Sequence, residues 1–318
     1  MSRFGVTVPF DRTPLGDHKD IVEELVSLGY TDAWSAEASG TDGFVPLAMT
    51  AAWAPELQLG TAIVPSFTRG PATLAMSVAT MAEAAPGRFT FGLGSSSDVI
   101  VERWNGIPFV EPYKRNRDMV RFLKAALSGE KVSEAYDTFE VKGFRLERPP
   151  AVVPPILVAA LRPGMLRLAG READGTITNW LSAEDVRRLV PEVGEGKHIV
   201  CRVYVCVTED AEAVRRTSKM LVAAYMNVEV YARFQEWLGR GPQLEAMWAA
   251  WRAGDRKAAV EAIPDEVVDD LVIHGTAEEC RAHVQRYVDN GVTIPVLQPL
   301  PIGTEPMETI RLLAPAKA

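Results

Sequence analysis

Short β-like runs alternate with helical stretches along most of this chain, and that alternation limits its fold more than any other feature. Phe4 to Pro9 (FGVTVP) leads to a helical pattern from Lys19 to Leu28. Ile21, Val22, Leu25 and Leu28 share one stripe there, and Gly29 ends it. Asp32 to Ala36 leads through a glycine-rich turn to a helix near Phe44 to Trp53. Leu57 to Pro65 precedes a helix from Pro71 to Ala84, and Arg88 to Gly94 continues the series. After a polar and aromatic stretch come Pro155 to Ala160, a helix from Pro163 to Ala173, Gly175 to Trp180, and a helix from Ala183 to Val193. Ile199 to Thr208 then precedes a helix from Ala211 to Met226, and Val292 to Gln298 follows a helix from Thr276 to Asn290. Such alternation implies a parallel sheet, and eight units in 318 residues predict an α/β fold of the (β/α)8 TIM-barrel type rather than an open doubly wound sheet.

Two stretches break the rhythm, at about 99–150, with a hairpin-like segment from Lys131 to Arg148, and at about 227–270, rich in Trp and Arg. They read as insertions after strands four and seven of one domain spanning 1–318, placed to decorate the barrel mouth or a subunit interface. No repeat or interdomain linker interrupts the series. With 47% hydrophobic and 24% charged residues, the chain has the composition of a folded globular protein, not of a disordered one.

The formal charge of -8 argues against broad binding to nucleic acid or to an anionic membrane, since both depend on clustered Lys and Arg. Near the N-terminus the apolar run meets Pro9 and then Asp11-Arg12, and no apolar run reaches the roughly 20 residues of a membrane span, so a cytoplasmic location is expected. Cys201, Cys206 and Cys280 are too few for a disulfide framework and read as reduced core residues, with Cys201 and Cys206 on opposite faces of one strand.

Several common chemistries are missing. Gly92-Leu-Gly94 opens like a dinucleotide fingerprint, but Ser97 stands where the third glycine belongs. There is no P-loop, HExxH or nucleophile elbow. His18, His198, His274 and His283 lie at no metal-ligand spacing, so no metal site is expected. In a barrel of this type, function belongs at the C-terminal strand ends. There the sequence places Glu37 and Asp42, Ser66, Gly94-Ser95-Ser96-Ser97-Asp98, Ala159-Ala160-Leu161-Arg162-Pro163-Gly164-Met165, and Thr178-Asn179-Trp180. Small residues and hydroxyls permit close approach of a flat ligand, and a helix start suits a phosphate.

Four segments together resemble the bacterial luciferase-like superfamily, and more narrowly its coenzyme F420 (deazaflavin)-dependent oxidoreductases. They are Leu59 to Pro71 (LGTAIVPSFTRGP), Gly87 to Ser97 (GRFTFGLGSSS), Pro163 to Gly175 (PGMLRLAGREADG) and His274 to Cys280 (HGTAEEC). The resemblance implies a (β/α)8 barrel, usually a homodimer, that binds F420 at its mouth and exchanges hydride with a small-molecule substrate. It implies a nonprolyl cis peptide between Ala62 and Ile63 beneath the deazaflavin ring, cofactor contacts at Gly94, Ser95 and Ser96, and a phosphate or ribityl region at Ala159, Ala160, Leu161, Gly164 and Met165. Asn179 matches a polar position at the end of strand six.

The departures are equally specific. The Asp-His pair that ends strand two in the sugar-phosphate and alcohol dehydrogenases of the branch is here Glu37-Ala38, and Ser97, followed by Asp98, replaces a glutamate after strand four. Leu161 and Arg162 stand where glycines are usual. The expected reaction is therefore F420-dependent hydride transfer with Glu37 or Asp98 as acid/base group, and Trp34, Tyr113 and Trp180 as walls of an apolar substrate slot. An FMN-dependent monooxygenase and a noncatalytic flavin-binding barrel are the alternatives. An acidic chain holding an anionic cofactor must use backbone amides, hydroxyls and placed arginines such as Arg69 and Arg162.

Overall fold

A computed structural model of the chain describes residues 3–315. Its centre is formed by β1 (Gly5–Thr7), β2 (Asp32–Ser35), β3 (Gln58–Thr61), β4 (Phe89–Gly94), β5 (Ile156–Ala159), β6 (Gly175–Asn179), β7 (His198–Val205) and β8 (Ile294–Pro299). Each strand pairs parallel with the next, and Gly5 and Val6 pair with Val296 and Leu297 to close the ring between β1 and β8. Closure leaves no free edge among these eight strands. The expected (β/α)8 barrel is the observed fold.

The helices are α1 (His18–Ser27), α2 (Val45–Trp53), α3 (Pro71–Ala84), α4 (Pro112–Leu127), α5 (Pro163–Glu172), α6 (Val186–Val193), α7 (Ala211–Met226), α8 (Glu229–Leu238), α9 (Gly241–Arg252), α10 (Arg256–Glu261), α11 (Asp265–Leu271), α12 (Ala277–Asp289) and α13 (Pro306–Leu312). Local sequence explains several starts. Proline stands in the first turn of α2, α3, α4 and α5, where its missing N–H costs nothing. Thr276 and Glu279 form a reciprocal capping box at α12. No helix among the described residues is long and apolar enough to cross a membrane.

Three boundaries differ from the sequence reading. Strand three is not continuous to Pro65: β3 ends at Thr61, the Ala62–Ile63 peptide is cis, and Val64–Pro65 resumes pairing with Leu93 and Gly94 of β4. Helix α6 begins at Val186 and not Ala183, because Ser182 N–H donates to Asp185 Oδ2 (2.8 Å) and Asp185 N–H to Ser182 Oγ (3.2 Å), which holds a separate turn. The stretch at 99–150 contains α4, which packs between α3 and α5 as a barrel helix, so only the π-helical Val99–Trp104 and the hairpin Val132–Ala135/Glu140–Phe144 are additional.

Strand alternation divides the core into two shells. Outward residues such as Val6, Leu59, Phe91 and Val203 pack under the helices, whereas Trp34, Leu157, Ile177, Val200, Ile294 and Val296 fill the barrel interior. Trp34 is fully buried, and Gly60 on the neighbouring strand is what admits it: a Cβ there would lie 2.3 Å from the indole ring. A third cluster unites Trp180, Tyr204 and Cys206 with α7, α9 and the following helices. Cys201 and Cys206 thus enter different clusters, as their odd spacing requires, and all three cysteines are buried and free.

Candidate active site

Beyond β2 the chain carries Glu37, and a hydrogen-bond lattice fixes it. Ala62 N–H donates to Ser35 O (2.5 Å) and Glu37 N–H to Ile63 O (3.0 Å), so the loops after β2 and β3 are joined on either side of the cis peptide. Ser35 Oγ donates to Gly43 O (2.6 Å). Glu37 Oε2 accepts from Gly43 N–H (3.0 Å), and Oε1 accepts from Arg69 Nη1 (2.6 Å). Both carboxylate oxygens are engaged, and the Arg69 guanidinium also lies 5.1 Å over the Phe44 ring. Asp42 Oδ1 accepts from Phe44 N–H (2.6 Å) and Val45 N–H (2.9 Å) just before α2.

Next along the mouth is a shelf of small residues. A Cβ at Gly94 would fall 2.8 Å from Ile63 Cγ1 and 3.0 Å from Ala159 Cβ, so Ile63, Gly94 and Ala159 touch at the ends of three successive strands. Ser95 follows, and Ser96 has φ 62°, which turns the chain sharply into the π-helical segment. Ser66 N–H donates to Gly94 O (2.8 Å), tying the loop after β3 to the end of β4. Asp98 lies apart from this shelf: its side chain is 46% exposed and pairs with Arg103 at 3.2 Å.

The wall continues to α5. Ala160 is buried, with its N–H donated to Ile177 O (3.0 Å), and Leu161 and Met165 pack against the main core. Arg162 is the extended N-cap residue of α5 and makes no side-chain capping bond. At Gly164 a Cβ would meet nothing within 4 Å, so the first turn of the helix stands open. Asn116 of α4 is buried beside Met165, with Nδ2 at 3.9 Å from Sδ.

The opposite side of the mouth joins Asn179 to residues that the sequence reading passed over. Asn179 ends β6 and donates from Nδ2 to the Tyr231 hydroxyl (3.5 Å), which α8 supplies. Arg202 of β7 donates from Nε (3.1 Å) and Nη2 to Gln298 Oε1 of β8, and its guanidinium lies 5.6 Å over the Tyr204 ring. Below it a cavity of about 10 Å³ is lined by Thr7, Trp34, Ala36, Ala62 and Val200 among others. The available signal was parity: Arg202 and Tyr204 share the inward phase of Val200 in a strand whose other residues from Ile199 on are apolar. Burial holds both phenols well above their ordinary range, Tyr231 up to about 12, so both remain O–H donors near neutral pH.

The three aromatic candidates do not converge. Trp34 is the fully buried plug of the barrel described above, below the mouth rather than on its rim. Trp180 has φ 56°, which swings it out of the strand alternation; it is 1% exposed and stacks on Tyr204 at 4.1 Å. The helices after β7 cover it, and Gln235 Nε2 donates to Trp180 O (2.7 Å). Tyr113 is exposed at the start of α4, its hydroxyl accepting from Arg171 (3.1 Å). Burial and distance thus correct the expectation that Trp34 and Trp180 wall an open slot. Among the described residues no group of three or more His, Cys, Asp or Glu is arranged to hold a metal ion.

A closed parallel barrel whose polar and small residues gather at the carboxyl ends of its strands is the architecture of a barrel enzyme. The profile of the luciferase-like monooxygenase family matches residues 2–293, and the chain belongs to that family, an oxidoreductase one. It is 26% identical, over 89% of its length and 91% of the relative's, to a Mycobacterium tuberculosis protein provisionally named a coenzyme F420-dependent oxidoreductase. It is also 26% identical to 5,10-methylenetetrahydromethanopterin reductase of Methanolobus tindarius, over 90% of each chain. The structure of coenzyme F420-dependent tetrahydromethanopterin reductase from Methanopyrus kandleri superposes with a TM-score of 0.80 at 19% identity, covering 98% of this chain and 97% of that one.

Proposed function

We propose that the chain is an F420-dependent oxidoreductase that exchanges hydride between the deazaflavin and a small organic substrate. The observation that carries this reading is the shelf formed by Ile63, Gly94 and Ala159 at the mouth, beside the open first turn of α5. The names of the relatives point to the same cofactor.

The residues present fit such a group. Ile63, Gly94 and Ala159 offer a flat apolar wall for a ring. Ser95 and Ser96 contribute hydroxyls, and the unpaired amides of α5, with Arg162, suit a phosphate, as an acidic protein requires. Ala160, Leu161 and Met165 hold that helix start against the core. When bound, a deazaflavin supplies a carbon centre that gives or takes hydride. Asn179, Arg202, Gln298 and Tyr231 then face the substrate and orient it.

Of the two carboxylates, Asp98 faces solvent and Glu37 is clamped by Arg69 and Gly43. We assign Glu37 a positioning role: it fixes the β2 and β3 loops that carry Ala62 and Ile63. A second reading, an FMN-dependent monooxygenase, is favoured by the description of the family profile. Titrating the purified protein with F420 and with FMN under matched conditions, followed by fluorescence, separates the two. Saturable binding of F420 is expected; tight FMN binding with no F420 response overturns the proposal.

A further inference from the structure

Arg202 is a partly buried cation that, among the described residues, meets only Gln298 and the face of the Tyr204 ring. Among the described residues no carboxylate lies within salt-bridge distance of its guanidinium, and its hydrogen bonds go to one neutral oxygen, Gln298 Oε1. Several other partly buried arginines are paired: Arg69 with Glu37 (2.6 Å), Arg117 with Asp118 (2.6 Å), and Arg240 with Asp185 (2.8 Å), whereas Arg88 donates to the Leu57 carbonyl (2.8 Å). Arg115, also without a carboxylate, is stacked between Phe67 and Phe139. Removing a charge from water is costly unless an opposite charge or strong acceptors meet it. In a chain with 42 acidic residues, a mouth that keeps carboxylates away from this one guanidinium leaves its charge to be met by an anion from outside.

The surroundings agree. At the same mouth the Tyr231 hydroxyl accepts from Asn179 Nδ2 (3.5 Å). A guanidinium only donates. Gln298 takes the Nε edge of the guanidinium, which leaves the Nη1 end, with no hydrogen bond among the described residues, free for two parallel bonds.

We infer that Arg202 is the anchor for a carboxylate of the substrate, so that the compound oxidised or reduced at this mouth is an organic monoanion. One guanidinium flanked by neutral groups balances a single negative charge, and its planar end matches a carboxylate. Strand β7 stands opposite β3 in the ring, so a substrate anchored at Arg202 extends across the mouth toward Ile63. The inference rests on the redox site proposed above, but its test does not depend on the cofactor.

The test uses straight-chain monocarboxylates from formate to octanoate and their primary amides as probes, with thermal shift of the purified protein as readout. At least one acid is expected to bind the wild type about 10- to 100-fold more tightly than its amide. Arg202→Met should abolish that preference and Arg202→Lys restore part of it. Gln298→Glu, which supplies an internal counter-ion and keeps the packing, should abolish acid binding while the protein stays folded. F420 affinity, measured separately by fluorescence, should stay within about threefold of wild type in Arg202→Met. The inference is overturned if no acid outperforms its amide, if Arg202→Met or Gln298→Glu retains the preference, or if Arg202→Met loses F420 in parallel, which would give the guanidinium to the cofactor. Acid binding without any F420 binding would keep the anion site and remove the cofactor reading instead.

Discussion

Glu37 and Arg69 meet at 2.6 Å where the loops after β2 and β3 close over the cis Ala62–Ile63 peptide, with only 15% and 21% of their side chains exposed. The pair joins the β2 loop to the loop leading into α3. Because Glu37 also holds Gly43 N–H, neutralising it loosens both loops together.

Glu37→Gln and Arg69→Met are therefore expected to weaken cofactor binding to a similar extent, about tenfold or more, and to lower turnover in parallel. Fluorescence titration and steady-state rates on both variants check this. A hundredfold fall in turnover confined to Glu37→Gln, with affinity intact, would return Glu37 to the role of proton carrier.

Gly60→Ala tests the barrel interior. The new Cβ falls 2.3 Å from the ring of a fully buried tryptophan, so a loss of about 3 kcal/mol in denaturant unfolding is expected. Trp34→Phe in the same chain makes room, and the double variant should lose clearly less than the sum of the singles. Additive losses would show that Trp34 and Gly60 do not share the strain.

Arg240 ties the helices after β7 to the barrel. It is buried and pairs with Asp185 at the start of α6 (2.8 Å) and with Asp270 of α11 (2.9 Å). Arg240→Met leaves the buried Asp185 carboxylate without its cation and should cost about 3 to 5 kcal/mol. Equilibrium unfolding measures it, and a loss below about 1 kcal/mol would contradict the assignment.

His283 gives a pH signature. Burial, reinforced by Arg286, lowers its pKa to about 4, below the ordinary 6.5. The unfolded chain therefore binds a proton that the folded chain refuses, and stability falls as pH drops from about 6.5 to about 4. Compared with the wild type, His283→Gln should lose less stability across that window in pH-resolved thermal unfolding. Identical profiles would exclude His283 as the source.

The barrel was legible because its signal is local. Runs such as Phe4 to Pro9 and Ile199 to Thr208 announce their strands by apolar content, and Pro71, Pro163 and Thr276 mark helix starts within one turn of where they form. The cis Ala62–Ile63 bond was reached through resemblance alone and is present. The substrate side was less legible. Trp34 and Trp180 looked like mouth aromatics because strand position fixes sequence distance from the mouth but not depth, and a single left-handed residue sends Trp180 outward. Asp98 looked equivalent to Glu37 until Arg103 and solvent claimed it.

By itself the sequence determined the eightfold repeat of strand and helix, the small residues at the strand ends and the acidic balance, because periodicity, chain reversal and charge are properties of neighbours along the chain. Tertiary structure decided which polar groups share a space. Closure of the ring brings β7 opposite β3 and sets Arg202 beside Gln298 of β8, 96 residues away, with no carboxylate among the described residues within salt-bridge distance. Such pairing depends on inward phase and on depth in a closed barrel, and neither has a signature in linear order.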